Sequence, residues 1–162
     1  MTISVFLLDD HELVRRGLTD LLEVEHDVTV VGEAGTAAQA LSQVPTLRPD
    51  VAVLDVRLPD GDGVSVCRDL RASVTPPPAC LLLTSHSDDE ALLGAIMAGA
   101  SGYLLKQISG VDIVGAIRTA AGGGSLLDPT AAAAVLERRH KLGFARRTEA
   151  AVFATELRRP DH

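Results

Sequence analysis

Three short apolar runs constrain this chain most: Ile3–Leu8 (ISVFLL, with Ser4 its one polar residue), Val51–Leu54 (VAVL) and Cys80–Leu83 (CLLL). Each ends on carboxylates or hydroxyls: Asp9-Asp10, Asp55 and Thr84-Ser85. Runs of four to six apolar residues with no polar alternation suit strands buried on both faces, as in a parallel sheet covered by helices. The β-branched Val28–Val31 and the short Tyr103–Leu105, which ends on Lys106, add two more strands. Helical patterns fall between them. Leu13–Glu23 carries Val14, Leu18, Leu21 and Leu22 on one face, and Ala37–Val44 is expected to stop at Pro45. Val64–Leu70 follows a Gly/Asp turn. Asp88–Ala98 has Asp88 as its N-cap, and Val111–Ala121 runs into Gly122-Gly123-Gly124. Five strands alternating with five helices predict an α/β fold, a doubly wound five-stranded parallel sheet. In such sheets ligands bind beyond the carboxyl ends of the strands.

The 162 residues suffice for one ordinary domain and a short appendage. Cys67 and Cys80 have neither metal-site nor redox-motif spacing. No apolar stretch reaches 18 residues, and two aspartates follow the first eight positions, so neither a membrane span nor a signal peptide is expected. That reading points to a cytoplasmic location without membrane partners. The net charge of −7 argues against a basic nucleic-acid coat, and four aromatics (Phe6, Tyr103, Phe144, Phe153) are too few for a base-stacking surface. The charge is uneven: residues 1–127 are net −9 and residues 128–162 net +2. In the basic segment, Thr130–His140 reads as an alanine-rich helix capped by Asp128 with Pro129 in its first turn. Gly143 breaks it, and Arg147–Arg159 reads as a second helix.

If the strands are parallel, Asp9, Asp10, Asp55, Thr84, Ser85 and Lys106 meet at one end of the sheet. Each alone has an ordinary explanation: a turn or helix cap for the aspartates, a strand-end hydroxyl for Thr84, a solvated lysine for Lys106. Together they form a specific chemical set. Three neighbouring carboxylates repel, which favours raised pKa values or a bound cation. An all-oxygen cluster suits Mg²⁺, which keeps several waters and takes one or two carboxylates plus a phosphate. A carboxylate can act as a nucleophile and form an acyl-phosphate. Lys106 and Thr84 would then bind the phosphoryl oxygens. The glycines of Val31–Gly35 lack a dinucleotide-binding spacing.

Asp9-Asp10-His11, LDVRLPDGDG (Leu54–Gly63), LLLTS (Leu81–Ser85) and GASGYLLK (Gly99–Lys106) resemble the receiver domain of bacterial response regulators, in the NarL/FixJ or LuxR-type branch. The resemblance covers residues 1–121 and implies a flavodoxin-like fold. It implies Asp55 as phosphoacceptor, with Asp9 and Asp10 positioning Mg²⁺ and Arg57 offering a backbone carbonyl to the metal. Thr84 and Lys106 match the phosphoryl-binding hydroxyl and ammonium, and Tyr103 the aromatic that changes rotamer on activation. A packing role for Tyr103 is equally compatible with the sequence. Pro59, Gly61 and Gly63 shape the loop after the nucleophile. Gln107 departs from the pattern, since many receivers carry proline after the lysine. His11 could touch the edge of the site, but a capping or solvent role is the favoured expectation. His86 could line the cleft, and His26, His140 and His162 have no partner pattern.

The implied domains are a receiver over 1–121, a glycine-rich linker over 122–128 and a helical extension over 129–162. The extension resembles a remnant of a LuxR-type helix-turn-helix module whose scaffold and most of whose recognition helix are missing. Two short helices cannot form a core of their own. Arg138, Arg139, Lys141, Arg146, Arg147, Arg158 and Arg159 could touch phosphates, but specific readout needs base contacts. Val152, Phe153, Ala154 and Leu157 could serve dimerisation. The resemblance therefore implies a regulator phosphorylated on Asp55 by a sensor histidine kinase in a Mg²⁺-dependent reaction. It would form a homodimer and control transcription, as DNA-binding relatives do. The alternative is a phosphorylation-responsive dimerisation or sequestering protein without DNA binding of its own. Neither is an enzyme; an aspartyl-phosphate phosphatase of the haloacid-dehalogenase type would need a second Asp two positions after Asp55, where Arg57 stands.

Overall fold

The structure, a computed structural model, describes residues 2–85, 89–106 and 110–127. The element order is β1 (Ile3–Leu8), α1 (Glu12–Glu23), β2 (Val28–Ala34), α2 (Ala37–Leu47), β3 (Val51–Asp55), β4 (Arg57–Leu58), β5 (Gly61–Asp62), α3 (Gly63–Ser73), β6 (Ala79–Thr84), α4 (Asp89–Ala98), β7 (Gly102–Leu105) and α5 (Gly110–Ala121). The expected N-cap Asp88, His86, Gln107 and everything expected of residues 128–162 lie outside the described residues.

Five parallel strands form one sheet in the order β2-β1-β3-β6-β7, and the two-residue β4 and β5 pair antiparallel beside it. This is the doubly wound flavodoxin-like fold. Side chains alternate across each central strand. Val5, Leu7, Val51, Val53, Leu81 and Leu83 face one way, into a core completed by Leu22 of α1 and Ile113, Val114, Ala116, Ile117 and Ala120 of α5. Phe6, Leu8, Ala52, Leu54, Cys80 and Leu82 face the other, against α2, α3 and α4. Helices on both faces favour apolar residues along the middle of β1, β3 and β6; Ser4, near the start of β1, bonds to Asp50, and Asp55 and Thr84 end β3 and β6 at the edge of the core.

The edge strand β2 differs. It alternates buried and solvent-facing residues and runs on through Gly32-Glu33 to Ala34, past the expected end at Val31. Helix α2 also outlasts its expected stop. Pro45 lies inside it, and the last turn closes at Arg48, whose N–H donates to the Val44 carbonyl at 2.8 Å from a left-handed conformation (φ 48°). The proline removes one backbone donor, but the turn beyond it brings Leu47 against Gly32, where a Cβ would sit 2.6 Å from Leu47 Cδ1.

After α5 the glycines make a turn. Gly123 takes φ 86°, and the Gly124 N–H donates to the Thr119 carbonyl at 2.9 Å, closing the helix end. The chain then folds back, and the Leu126 N–H donates to the Ser101 carbonyl at 2.6 Å. No helix among the described residues is long and apolar enough to cross a membrane.

Leu82 is fully buried and Leu105 is 42% exposed. Leu82→Ala is expected to cost about 3–4 kcal/mol in urea unfolding, and Leu105→Ala no more than about 0.5 kcal/mol.

Candidate functional site

The strand order reverses between β1 and β3, and the residues that follow these strands meet at that point. Asp9, directly after β1, is 2% exposed, and Asp55, the last residue of β3, is 4% exposed. Thr84 ends β6 and is equally buried. Lys106 follows β7, and its N–H donates to the Thr84 carbonyl at 2.7 Å, which anchors its backbone beside the site. Its ammonium reaches across: Nζ donates to Asp55 Oδ2 at 3.1 Å and lies 3.0 Å from Asp9 Oδ2. The contact with Asp9 is an ion pair, so one ammonium faces both buried carboxylates. Asp55 Oδ1 accepts from the Arg57 N–H at 3.3 Å.

Burial, and next the charge of Asp9, push the Asp55 carboxyl above its ordinary range, against the opposing pull of Lys106. Burial works against the Lys106 ammonium too, but the two carboxylates outweigh it and hold its pKa raised. The site thus keeps more negative charge than one cation balances.

The loop after Asp55 is tightly held. The Gly63 N–H donates to the Val56 carbonyl at 2.9 Å. A Cβ on Gly63 would land on the Asp55 carbonyl oxygen, so only glycine lets the start of α3 approach the nucleophile strand. Asp62 caps α3 by accepting from the Ser65 N–H at 2.8 Å. Asp60 reaches sideways to the start of α2, accepting from the N–H groups of Ala37 and Ala38 at 2.8 and 3.0 Å, and these bonds lower its pKa. Arg15 of α1 donates through Nη1 to the Asp9 carbonyl and through Nε to Glu33 of β2 at 3.0 Å. Neither Asp60 nor Arg15 stands out in the sequence as a site residue. Capping a helix 23 positions earlier leaves no local pattern, and Arg15 reads as one of many helical surface residues.

His11 stands closer to the cluster than expected. It occupies the N-cap position of α1 without a side-chain capping bond. Its N–H donates to Asp9 Oδ1 at 2.8 Å, and Nδ1 lies 3.2 Å from Asp9 Oδ1 and 3.1 Å from Asp10 Oδ1. Tyr103 on β7 is half-buried and packs against the core on the α2/α3/α4 side. Arg57 is exposed on β4.

One ligand atom from each of Asp9, Asp10, His11 and Asp55 falls within 4.8 Å of the others. Clustered carboxylate oxygens of this kind can hold a divalent cation. Removing Lys106 would leave the buried pair uncompensated. Lys106→Met is expected to lower stability at pH 7 by about 2 kcal/mol, less than for a fully buried pair because the lysine is partly exposed. The deficit should shrink as acid protonates the carboxylates, and urea unfolding at pH 7 and pH 5 checks both points.

The response regulator receiver domain family matches residues 5–118. Over 209 aligned positions the chain is 43% identical to the DNA-binding transcriptional activator DevR/DosR of Mycobacterium tuberculosis, covering 97% of this chain and 96% of that protein. Those positions outnumber the 162 residues here, so the alignment bridges a stretch of DevR/DosR with no counterpart in this chain. The response regulator protein VraR of Staphylococcus aureus is 36% identical over 129 residues, 80% of this chain and 61% of VraR. Among solved structures, a LuxR-family two-component response regulator from an Aurantimonas species superposes with a TM-score of 0.76 at 32% identity, over 86% of this chain and 99% of that one. With the parallel sheet and the acidic cluster at its switch point, these likenesses place the chain in the response regulator receiver family, as a two-component response regulator of the LuxR type.

Proposed function

We propose that Asp55 is the phosphoacceptor of this regulator and takes its phosphoryl group from a phosphohistidine of a sensor histidine kinase. The observation that carries the reading is the convergence of four strand ends: buried Asp9, Asp55 and Thr84, with Lys106 Nζ within 3.1 Å of both carboxylates. A carboxylate oxygen of Asp55 attacks the phosphorus in line, the P–N bond to the donor imidazole breaks, and its electron pair stays on the ring nitrogen. Lys106, already centred between the carboxylates, pairs with the incoming phosphoryl oxygens as Asp55 loses its charge. The Thr84 hydroxyl sits at the end of β6, where it can hydrogen-bond the same group. Asp9, Asp10 and Asp55, with the Arg57 backbone carbonyl, would hold Mg²⁺, which when bound neutralises charge on the phosphoryl oxygens.

Phosphorylation then biases a two-state domain. Thr84 and Tyr103 link the site to the face of α4 and β7, and the output is control of transcription by a cytoplasmic homodimer. The protein turns over only its own phosphoryl group. Arg57 stands where a haloacid-dehalogenase phosphatase needs its acid, which favours a signalling role over an enzymatic one. In this reading residues 1–121 are the receiver, 122–128 its linker and 129–162 a shortened output segment.

A second reading, a phosphorylation-responsive dimerisation or sequestering protein, draws on the stretch of DevR/DosR that this chain lacks. Specific retardation of promoter DNA by the phosphorylated chain distinguishes the two.

Incubation with acetyl phosphate and Mg²⁺ is expected to add one phosphoryl group to the wild type and none to Asp55→Asn, read by intact-protein mass. Equal labelling of the variant would displace Asp55 from this role.

A further inference from the structure

Asp9 is held by its main chain as well as by Lys106. Its N–H donates to the Ala34 carbonyl, at the end of β2, at 3.1 Å, and its own carbonyl accepts from Arg15 Nη1. Arg15 belongs to the first turn of α1, and its side chain is 16% exposed. Its Nε donates to Glu33 Oε1 on β2 at 3.0 Å. One guanidinium thus ties α1 and the edge strand β2 to the chain between β1 and α1. The loop after β2 closes over the same group: a Cβ on Gly35 would lie 3.3 Å from Arg15 Nη1 and 3.8 Å from the Asp9 carbonyl oxygen. A cation in the first turn of a helix opposes the helix dipole, so position 15 is a disfavoured place for an arginine without partners. The bonds to the Asp9 carbonyl and to Glu33 offset that.

These bonds go to a main-chain carbonyl and to Glu33, not to the carboxylates of the cluster, so Arg15 itself enters no step of phosphoryl transfer. What they fix is the main chain from which the Asp9 carboxylate projects, one residue before Asp10. A planar guanidinium holds two acceptors in fixed directions at once, which a lysine ammonium on its flexible stem does not. We propose that Arg15, oriented by Glu33, is a positioning residue for the cation site: it fixes the main chain at Asp9, through it the directions of the Asp9 and Asp10 carboxylates, and thereby the affinity for Mg²⁺. The proposal rests on the acidic cluster being the cation site of the phosphoacceptor. Charge alone predicts the opposite sign. A guanidinium near a bound cation repels it, so removing Arg15 would tighten Mg²⁺ binding if its charge were all that mattered.

Calorimetric titration of the full-length protein with Mg²⁺ measures this in the wild type, Arg15→Ala and Arg15→Lys, with Arg118→Ala as a control. Arg118 bonds to Glu25 and Asp27 at 2.8–3.0 Å, before the start of β2 rather than at its end. Losing an outer partner of a metal ligand costs roughly 10–100-fold in affinity, so Arg15→Ala is expected to weaken Mg²⁺ by about tenfold. Arg15→Lys is expected to weaken it too, although the charge is kept, and it carries the test if the alanine variant does not fold. Arg118→Ala is expected to leave Mg²⁺ affinity unchanged. In labelling with acetyl phosphate, the Mg²⁺ needed for half the maximal rate should rise by the same factor in the Arg15 variants, with the rate at saturating Mg²⁺ retained. Mg²⁺ affinity unchanged or tightened in the folded Arg15 variants, or an equal weakening in Arg118→Ala, would overturn the role of Arg15 and leave the phosphoacceptor reading standing. A wild type that neither binds Mg²⁺ nor takes up a phosphoryl group would overturn both.

Discussion

Two carboxylates buried side by side with a single ammonium between them set the terms for the rest of this structure. Asp9 and Asp55 come from adjacent central strands, and the parallel register of β1 and β3 leaves them no means of moving apart. Lys106 must then reach from β7, beyond β6, to Oδ2 of both. Its backbone is tied to Thr84 for that purpose. The loops at this end of the sheet are braced in turn. Arg15 grips the Asp9 carbonyl, Asp60 ties the β4–β5 hairpin to α2, and Gly63 lets α3 start against Asp55. A rigid frame around an excess of negative charge is a pre-organised receptor for a cation and a phosphoryl group, since the frame is already built when the ligand arrives.

Much of this was legible in the sequence, for identifiable reasons. Strands covered on both faces are apolar along most of their length, so β1, β3 and β6 stand out as apolar runs, and the polar residues ending them mark the site. The edge strand β2 was read too short because only one of its faces is buried, and Glu33 on the other pairs with Arg15 instead of packing. Pro45 was read as a helix stop because a local rule cannot see that Leu47 packs on Gly32 one turn later. Asp60 and Arg15 escaped notice for the same reason: their partners are 22 or 23 residues away for Asp60, and six and 18 away for Arg15. His11 was read as peripheral, whereas its main-chain bond to Asp9 brings the ring onto two carboxylates.

The fold also separates two tasks. One end of the sheet carries the charged site, while the opposite end closes through the Gly122–Gly124 turn and the return of Leu126 to Ser101. Between them lie two apolar layers with no buried charge among the described residues other than Asp9 and Asp55. Electrostatic stress is therefore confined to one edge of a well-packed core, so a change of charge there acts on the neighbouring loops before it acts on the sheet.

Ionised Asp55 is expected to cost the folded domain stability. Its pKa is raised, so that cost is present above the folded-state pKa and is relieved as pH falls through it. Thermal unfolding of the wild type and Asp55→Asn at pH 7.5, with and without Mg²⁺, measures it directly. Asp55→Asn is expected to melt higher than the wild type in the absence of Mg²⁺, and Mg²⁺ is expected to raise the wild type more and narrow the gap. A variant that melts lower than the wild type without Mg²⁺, or an equal Mg²⁺ shift in both proteins, would contradict this expectation.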